Sequence, residues 1–211
     1  MLKLEDITDE MGIFLVRLAR QTIESYIKNG IKISPPEKTP DVLREKAGVF
    51  VTLNKVINNE EELRGCIGYI IPHLPLVEAV IDSAIAAATR DPRFHPVADY
   101  ELDEIIVEVT VLTPPQIINV RDPSEYPKKI EIGKDGLLLE WHGFGGTLLP
   151  QVPVEYNWDE VTFLEHLCLK SGLPRECWKW HDVKIYKYQG VIFKETKPRG
   201  DIIRVDLSKI H

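Results

Sequence analysis

Gly48-Val-Phe-Val-Thr-Leu-Asn54 and Leu63-Arg-Gly-Cys-Ile-Gly-Tyr-Ile70 stand on either side of Asn58-Asn59. Both runs have strand length and strand composition, and the paired asparagines suit a tight turn, so the segment reads as an antiparallel hairpin. Successive strand side chains point to opposite faces. Val49, Val51 and Leu53 therefore share one face, leaving Phe50, Thr52 and Asn54 on the other. In the second run Leu63, Gly65, Ile67 and Tyr69 oppose Arg64, Cys66, Gly68 and Ile70. A third run, Ile105 to Thr113, sets Ile105, Val107, Val109 and Val111 against Ile106, Glu108, Thr110 and Leu112. If these three strands share a sheet, their apolar faces make the main core. Their mixed faces then gather Thr52, Arg64, Cys66, Glu108 and Thr110 in one area.

The rest of the chain supplies helices and turns around that sheet. Phe14/Leu15, Leu18/Ala19, Thr22/Ile23 and Tyr26/Ile27 recur every four residues, predicting a helix over Asp9 to Asn29 that stops at Gly30. Leu76 to Arg90 reads as an alanine-rich apolar helix closed by Asp91-Pro92. Lys129 to Ile132 and Leu137 to His142 straddle Gly133-Lys-Asp-Gly136, which predicts a second hairpin. Gly143-Phe-Gly-Gly146 reads as a further turn before Thr147 to Gln151. Asn157 with Glu160 resembles a capping box opening a helix that ends at Ser171-Gly172. Val183 to Phe193 is a last strand, and Lys194 to His211 reads as a loosely attached tail. Helices and strands alternate without regular βαβ spacing, which predicts an α+β fold with a mainly antiparallel sheet flanked by helices.

A chain of 211 residues can bury roughly 70% of its unfolded surface, so one domain needs no disulfide or metal for stability. The net charge of −7 speaks against a general phosphate-backbone binder. Lys184-Ile-Tyr-Lys-Tyr188 interleaves aromatics with cations as single-strand binders do, but one such strand is more often a solvated sheet face. No secretory pattern opens the chain, and no apolar run reaches the ~18 residues of a membrane span. Three cysteines without a Cys-x-x-Cys pair fit a reducing cytoplasm. Whether Cys168 and Cys177 pair is left open. Cys66, His73, His95, His142, Cys177 and His181 lack standard zinc spacing, so no metal site is assigned, and no cofactor is indicated.

The chemistry concentrates on Leu63 to Ile70. In one reading Arg64 lowers the pKa of the Cys66 thiol, because a neighbouring cation favours the thiolate, and Glu108 orients Arg64 or serves as a base. Gly65 and Gly68 lack Cβ atoms, so a ligand or another backbone can approach closely. In the other reading Cys66 is an inert buried thiol, Arg64 and Glu108 form a cross-strand ion pair, and the glycines mark bulges. Asp91-Pro-Arg-Phe94 either places Asp91 and Arg93 at the site or simply stops the preceding helix.

Leu63-Arg-Gly-Cys-Ile-Gly68 resembles the signature hexapeptide of the AMMECR1 family. Gly48 to Leu53, Asp91 to Phe94, Val107 to Leu112, Asp135 to Leu137 and Leu148 to Val152 match family motifs in the same order. Asn157-Trp158-Asp159 departs at its first position from a common Gly-Trp-Asp. The chain looks similar to the archaeal single-domain members. The resemblance implies one α+β domain with a larger and a smaller lobe facing each other across a cleft lined by the hexapeptide. Carried over by position, it makes Arg64, Gly65, Cys66 and Gly68 the leading site residues and places Thr52, Asp91, Arg93 and Glu108 in the other matching motifs. With the residue chemistry above, Cys66, Arg64 and Glu108 are expected as reacting groups and Gly65, Gly68, Thr52, Asp91 and Arg93 as binding residues. The resemblance also implies partners of Memo-like or radical-SAM type, hence a thiol-dependent enzyme or a component of a modification pathway. The alternative is a non-catalytic module that binds a small molecule or a protein.

Overall fold

The computed structural model describes residues 2–209. In chain order the main elements are α1 (Asp9–Asn29), β1 (Gly48–Ile57), β2 (Glu60–Tyr69), α2 (Leu76–Thr89), β3 (Ile105–Leu112) and β4 (Gln116–Ile117). They continue as β5 (Asp135–Trp141), β6 (Phe144–Leu148), α3 (Gln151–Glu155), α4 (Glu160–Lys170), β7 (Lys184–Glu195) and β8 (Ile202–Arg204). The fold is α+β with antiparallel strand pairing, as the sequence predicts. The chain divides into two compact units. The first comprises the chain up to Pro114 together with Val191–Val205, and the second comprises Pro115–Gly190 with the chain end from Asp206.

In the first unit β1 lies between β2 and β3 and is antiparallel to both. Asn58 and Asn59 take positive φ values of 53° and 65°, the conformation that a two-residue hairpin turn demands. Val49, Val51, Leu53, Val107, Val109 and Val111 are fully buried and join residues of α1 and α2 in one core. α1 starts where Thr8 accepts the Met11 amide at 3.2 Å and ends on left-handed Gly30. α2 buries residues on almost every side, which explains why its sequence shows no polar face.

The segment from Lys194 to Arg204 is not loosely attached. Glu195 is only 2% exposed, and β8 pairs with Phe193–Glu195 of β7. The Glu195 carboxylate takes two hydrogen bonds from Arg20 at 2.9 and 2.7 Å and one from the Val107 amide at 3.0 Å. Arg20 also donates to the carbonyls of Leu102 and Ile105. A buried ion pair must satisfy its remaining donors and acceptors to be tolerated, and this one does so with main-chain groups. His211, at the end of that predicted tail, lies outside the described residues.

The second unit departs further from expectation. Its hairpin is β5–β6, turned by His142 and Gly143 with φ of 41° and 85°. Of Gly143 to Gly146, read as a turn from sequence, Gly143 does turn the chain, whereas Phe144 to Gly146 belong to β6. Lys129 to Ile132 is not a strand. The Asp135 carboxylate accepts the Glu131 amide at 2.9 Å, and the amides of Lys134 and Asp135 bond back to the Glu131 carbonyl. That stitch closes the Gly133 loop on itself. The cap of α4 is Asp159, which accepts the Thr162 amide at 2.8 Å, while Asn157 adopts a φ of 53°. Phe163, Leu164, Leu167 and Cys168 of α4 pack with Leu137, Leu139 and Ile185 in a second core. Cys168 and Cys177 form a disulfide with Cα atoms 5.8 Å apart, leaving Cys66 as the one free cysteine.

Among the described residues no helix is long and apolar enough to cross a membrane.

Candidate functional site

The three-strand register brings Cys66, Thr52 and Glu108 into one row. Thr52 on the central β1 is the direct partner of Cys66 on β2 and of Glu108 on β3. The Thr52 hydroxyl and the Cys66 sulfur are 3.2 Å apart. Cys66 is partly exposed, whereas Thr52 and Glu108 are buried at 8% and 9% exposure. This row is what strict alternation along three neighbouring strands produces, and the sequence reading anticipates it.

Arg64 leaves the row because the register slips. Leu53 pairs with Gly65 but Asn54 pairs with Leu63, so Arg64 is the extra residue of a β-bulge. Its guanidinium binds both oxygens of Glu101 at 2.9 and 3.0 Å and donates to the carbonyls of His95 and Pro96. Glu101 therefore orients Arg64, and Glu108 does not; the expected Arg64–Glu108 partnership is corrected on that ground. Arg64 holds the Glu101 carboxyl down at about 2. Sequence reasoning missed Glu101, whose only signal is its place in the charged stretch Asp99 to Glu104.

The cation beside the thiol is Arg93. Asp91 follows α2 and is 4% exposed. One of its oxygens accepts the Cys66 amide at 3.0 Å and Arg93 Nη2 at 2.8 Å. The other accepts the Arg93 amide and Nε at 3.1 and 3.0 Å. The Arg93 guanidinium and the Cys66 amide lower the Asp91 carboxyl to about 2, against its burial. Phe94 lies beneath both guanidiniums, with its ring centre 5.9 Å from the Arg64 carbon and 5.4 Å from that of Arg93. Such cation–π contacts help to fix both cations.

Burial pushes the Cys66 thiol up, and the negative charges of Glu108 and Asp91 push the same way. The Thr52 hydrogen bond and the Arg93 charge oppose them and lose. The resting thiol is consequently neutral at pH 7. The thiolate expected from an adjacent Arg64 is not the resting state.

Both glycines of the hexapeptide are explained by packing. A Cβ on Gly65 would lie 2.1 Å from the Ala87 carbonyl oxygen of α2. A Cβ on Gly68 would lie 2.0 Å from the Val49 oxygen and 2.7 Å from the Phe50 ring. The close approach expected at these positions is thus made by another backbone and a neighbouring ring. Thr110, one row along from Glu108, is fully buried, and its hydroxyl has no hydrogen-bond partner among the described residues. No group of three His, Cys, Asp or Glu among the described residues is arranged to hold a metal ion.

Residues 16–193 match the family model described as AMMECR1. Protein PH0010 of Pyrococcus horikoshii is 54% identical over 202 residues, covering 95% of this chain and 98% of that protein. Protein MJ0810 of Methanocaldococcus jannaschii is 51% identical over 201 residues, covering 95% and 98%. The crystal structure of the uncharacterized protein PH0010 superposes with a TM-score of 0.91 at 53% identity, covering 94% of this chain and 98% of that one.

Proposed function

The chain belongs to the AMMECR1 family, and from that premise we propose that its first unit carries a thiol site acting on a small molecule. Cys66 is the reacting group, Arg93 the counter-ion of its thiolate, and Glu108 the acceptor of its proton. The observation that carries this reading is the Cys66–Thr52–Glu108 row, flanked by the Asp91–Arg93 pair that also holds the Cys66 amide. The thiol rests protonated, so it reacts only once a substrate has entered and its proton has passed to Glu108. Arg93 then faces a negative sulfur, and Thr52 donates its hydroxyl hydrogen to it. Arg64, Gly65 and Gly68 build the frame: the first fastens the bulge to Glu101, and the other two let α2 and Phe50 close on β2. Partners of Memo-like or radical-SAM type suit such a protein as a component of a modification pathway in the cytoplasm, with Cys66 as its one free cysteine.

A second reading is favoured by the raised thiol itself. A neutral, partly buried sulfur beside a hydroxyl also suits a site that only binds. In that case Cys66→Ser keeps ligand affinity.

Ligand affinity and turnover of Cys66→Ser separate the two, and the pH dependence of Cys66 alkylation tests the row; with Cys168 and Cys177 paired the label reports on Cys66 alone. A reacting thiol set by this row has a midpoint above the ordinary ~8.5. Arg93→Ala raises that midpoint, Glu108→Gln lowers it, and Arg64→Ala leaves it in place. A midpoint indifferent to both Arg93 and Glu108 would remove the catalytic reading.

A further inference from the structure

The second unit contains a pocket of about 620 Å³ that the thiol site does not explain, and Asp135 of the Asp135 to Leu137 motif lines it. Lys128, Lys129, Lys134 and Lys187 line it. These are four of the seven lysines between residues 115 and 190, in a chain whose net charge is −7. They arrive from three places: the end of the 3-10 turn Pro123–Lys129, the Gly133 loop and β7. Strand alternation also resolves the Lys184 to Tyr188 motif. Lys187 enters this pocket, whereas Tyr186 on the opposite face donates to Glu140 at 3.1 Å.

One positive charge is left in excess, because the four lysines face the three carboxylates of Glu125, Glu131 and Asp135. Lys129 donates to the Asn119 carbonyl, and Lys187 donates to the Lys129 carbonyl at 2.8 Å. Carbonyl oxygens satisfy ammonium hydrogens without cancelling the charge. Asp135, 2% exposed at the base of the pocket, is engaged by the Glu131 amide and by Gln189 at 2.6 Å, with Lys187 at 3.6 Å. Glu131 approaches Lys134 at 3.3 Å and Glu125 approaches Lys129 at 3.9 Å. Lys128 has no carboxylate partner among the described residues. Beside the cations Ile117, Ile118 and Ile130 form an apolar wall, with Ile117 47% exposed.

Ammonium groups act as point charges toward phosphate, and an apolar wall accommodates an uncharged ring. From these we infer that the pocket binds a small molecule carrying phosphate on an apolar or aromatic body, a nucleoside diphosphate being the size it admits.

Calorimetric titration of the full chain with ADP, pyrophosphate, adenosine and a six-nucleotide RNA tests this, in the wild type and in Lys128→Glu/Lys134→Glu. ADP is expected to saturate one site, and pyrophosphate to bind more weakly. Adenosine should bind at least 10-fold more weakly than ADP. The double variant should lose at least 10-fold in ADP affinity while melting at the wild-type temperature. Three results would overturn the inference: no saturable binding of ADP or pyrophosphate at millimolar concentration, unchanged ADP affinity in the folded double variant, or tighter binding of the RNA than of ADP. A double variant that does not fold is replaced by Lys128→Gln, expected to lose several-fold, with equal affinity overturning the inference.

Discussion

Asp91 Oδ2 accepts the main-chain N–H of Cys66 at 3.0 Å, so a side chain from beyond α2 holds the edge strand at the residue that carries the thiol. The same carboxylate holds Arg93. Asp91→Asn keeps the shape but removes the charge. The expected loss is roughly 1–3 kcal/mol, the range for leaving buried hydrogen-bonding groups imperfectly paired, read as a lower midpoint in urea unfolding. Alkylation of Cys66 should change with it, because Arg93 loses its anchor.

Acid titration gives a second check on the same pair and on Arg64–Glu101. A carboxyl depressed in the folded state contributes stability that is present above its unfolded pKa and lost as pH falls through its folded one. Asp91 falls from 3.8 to about 2 and Glu101 from 4.5 to about 2. Stability should therefore decline between about pH 4.5 and 2, with a shallower slope in Asp91→Asn and Glu101→Gln. Equal slopes in wild type and both variants would contradict the pairing.

Gly65→Ala and Gly68→Ala are expected to cost stability before they cost function. Each added methyl would meet backbone oxygen at about 2 Å, and overpacking of this kind costs roughly 1–3 kcal/mol, occasionally more. Thermal melts would show it. Variants as stable as the wild type would return these glycines to a role in admitting a ligand.

Glu195→Ala should be among the most damaging single changes in the first unit. It leaves the Arg20 guanidinium buried and the Val107 amide unsatisfied, and breaking one partner of a buried pair costs roughly 3–5 kcal/mol. Replacing Arg20 and Glu195 together by apolar residues should cost less than Glu195→Ala alone, measured as a double-mutant cycle.

Opening the Cys168–Cys177 bridge by Cys→Ala at both positions should lower stability by ~2.5 kcal/mol on a chain-entropy estimate for so short a loop. The loss should appear in the unfolding of the second unit, followed by the fluorescence of Trp178, which is packed in the same core.

The parts of this molecule that were legible in sequence are those where one periodicity runs unbroken. The four-residue stripe of α1 and the left-handed stop at Gly30 were readable because nothing interrupts them. The Cys66–Thr52–Glu108 row was readable because alternation survives on three adjacent antiparallel strands. Arg64 was misread for the converse reason: a bulge adds one residue without any compositional mark, and everything past it changes partner. That single slip moves the orienting role from Glu108 to Glu101. The Gly133 loop was misread because Gly-Lys-Asp-Gly has hairpin composition, while the deciding group, the buried Asp135 carboxylate, acts back on Glu131. The true turn passes through His142, a residue whose positive φ no turn table favours as strongly as glycine or asparagine.

The interruption of the first unit by the second bears on how the chain is made. Arg20 is synthesised early and Glu195 late, with residues 115–190 between them. Until Glu195 arrives the N-terminal unit therefore lacks the carboxylate that bridges Arg20 and the Val107 amide, with only Glu24 at 3.7 Å beside the guanidinium, while the segment between holds a core of its own. The unit that starts first is thus expected to close last. Released chains truncated just before Glu195 should resist protease over residues 115–190 and remain open to it over residues 9–112.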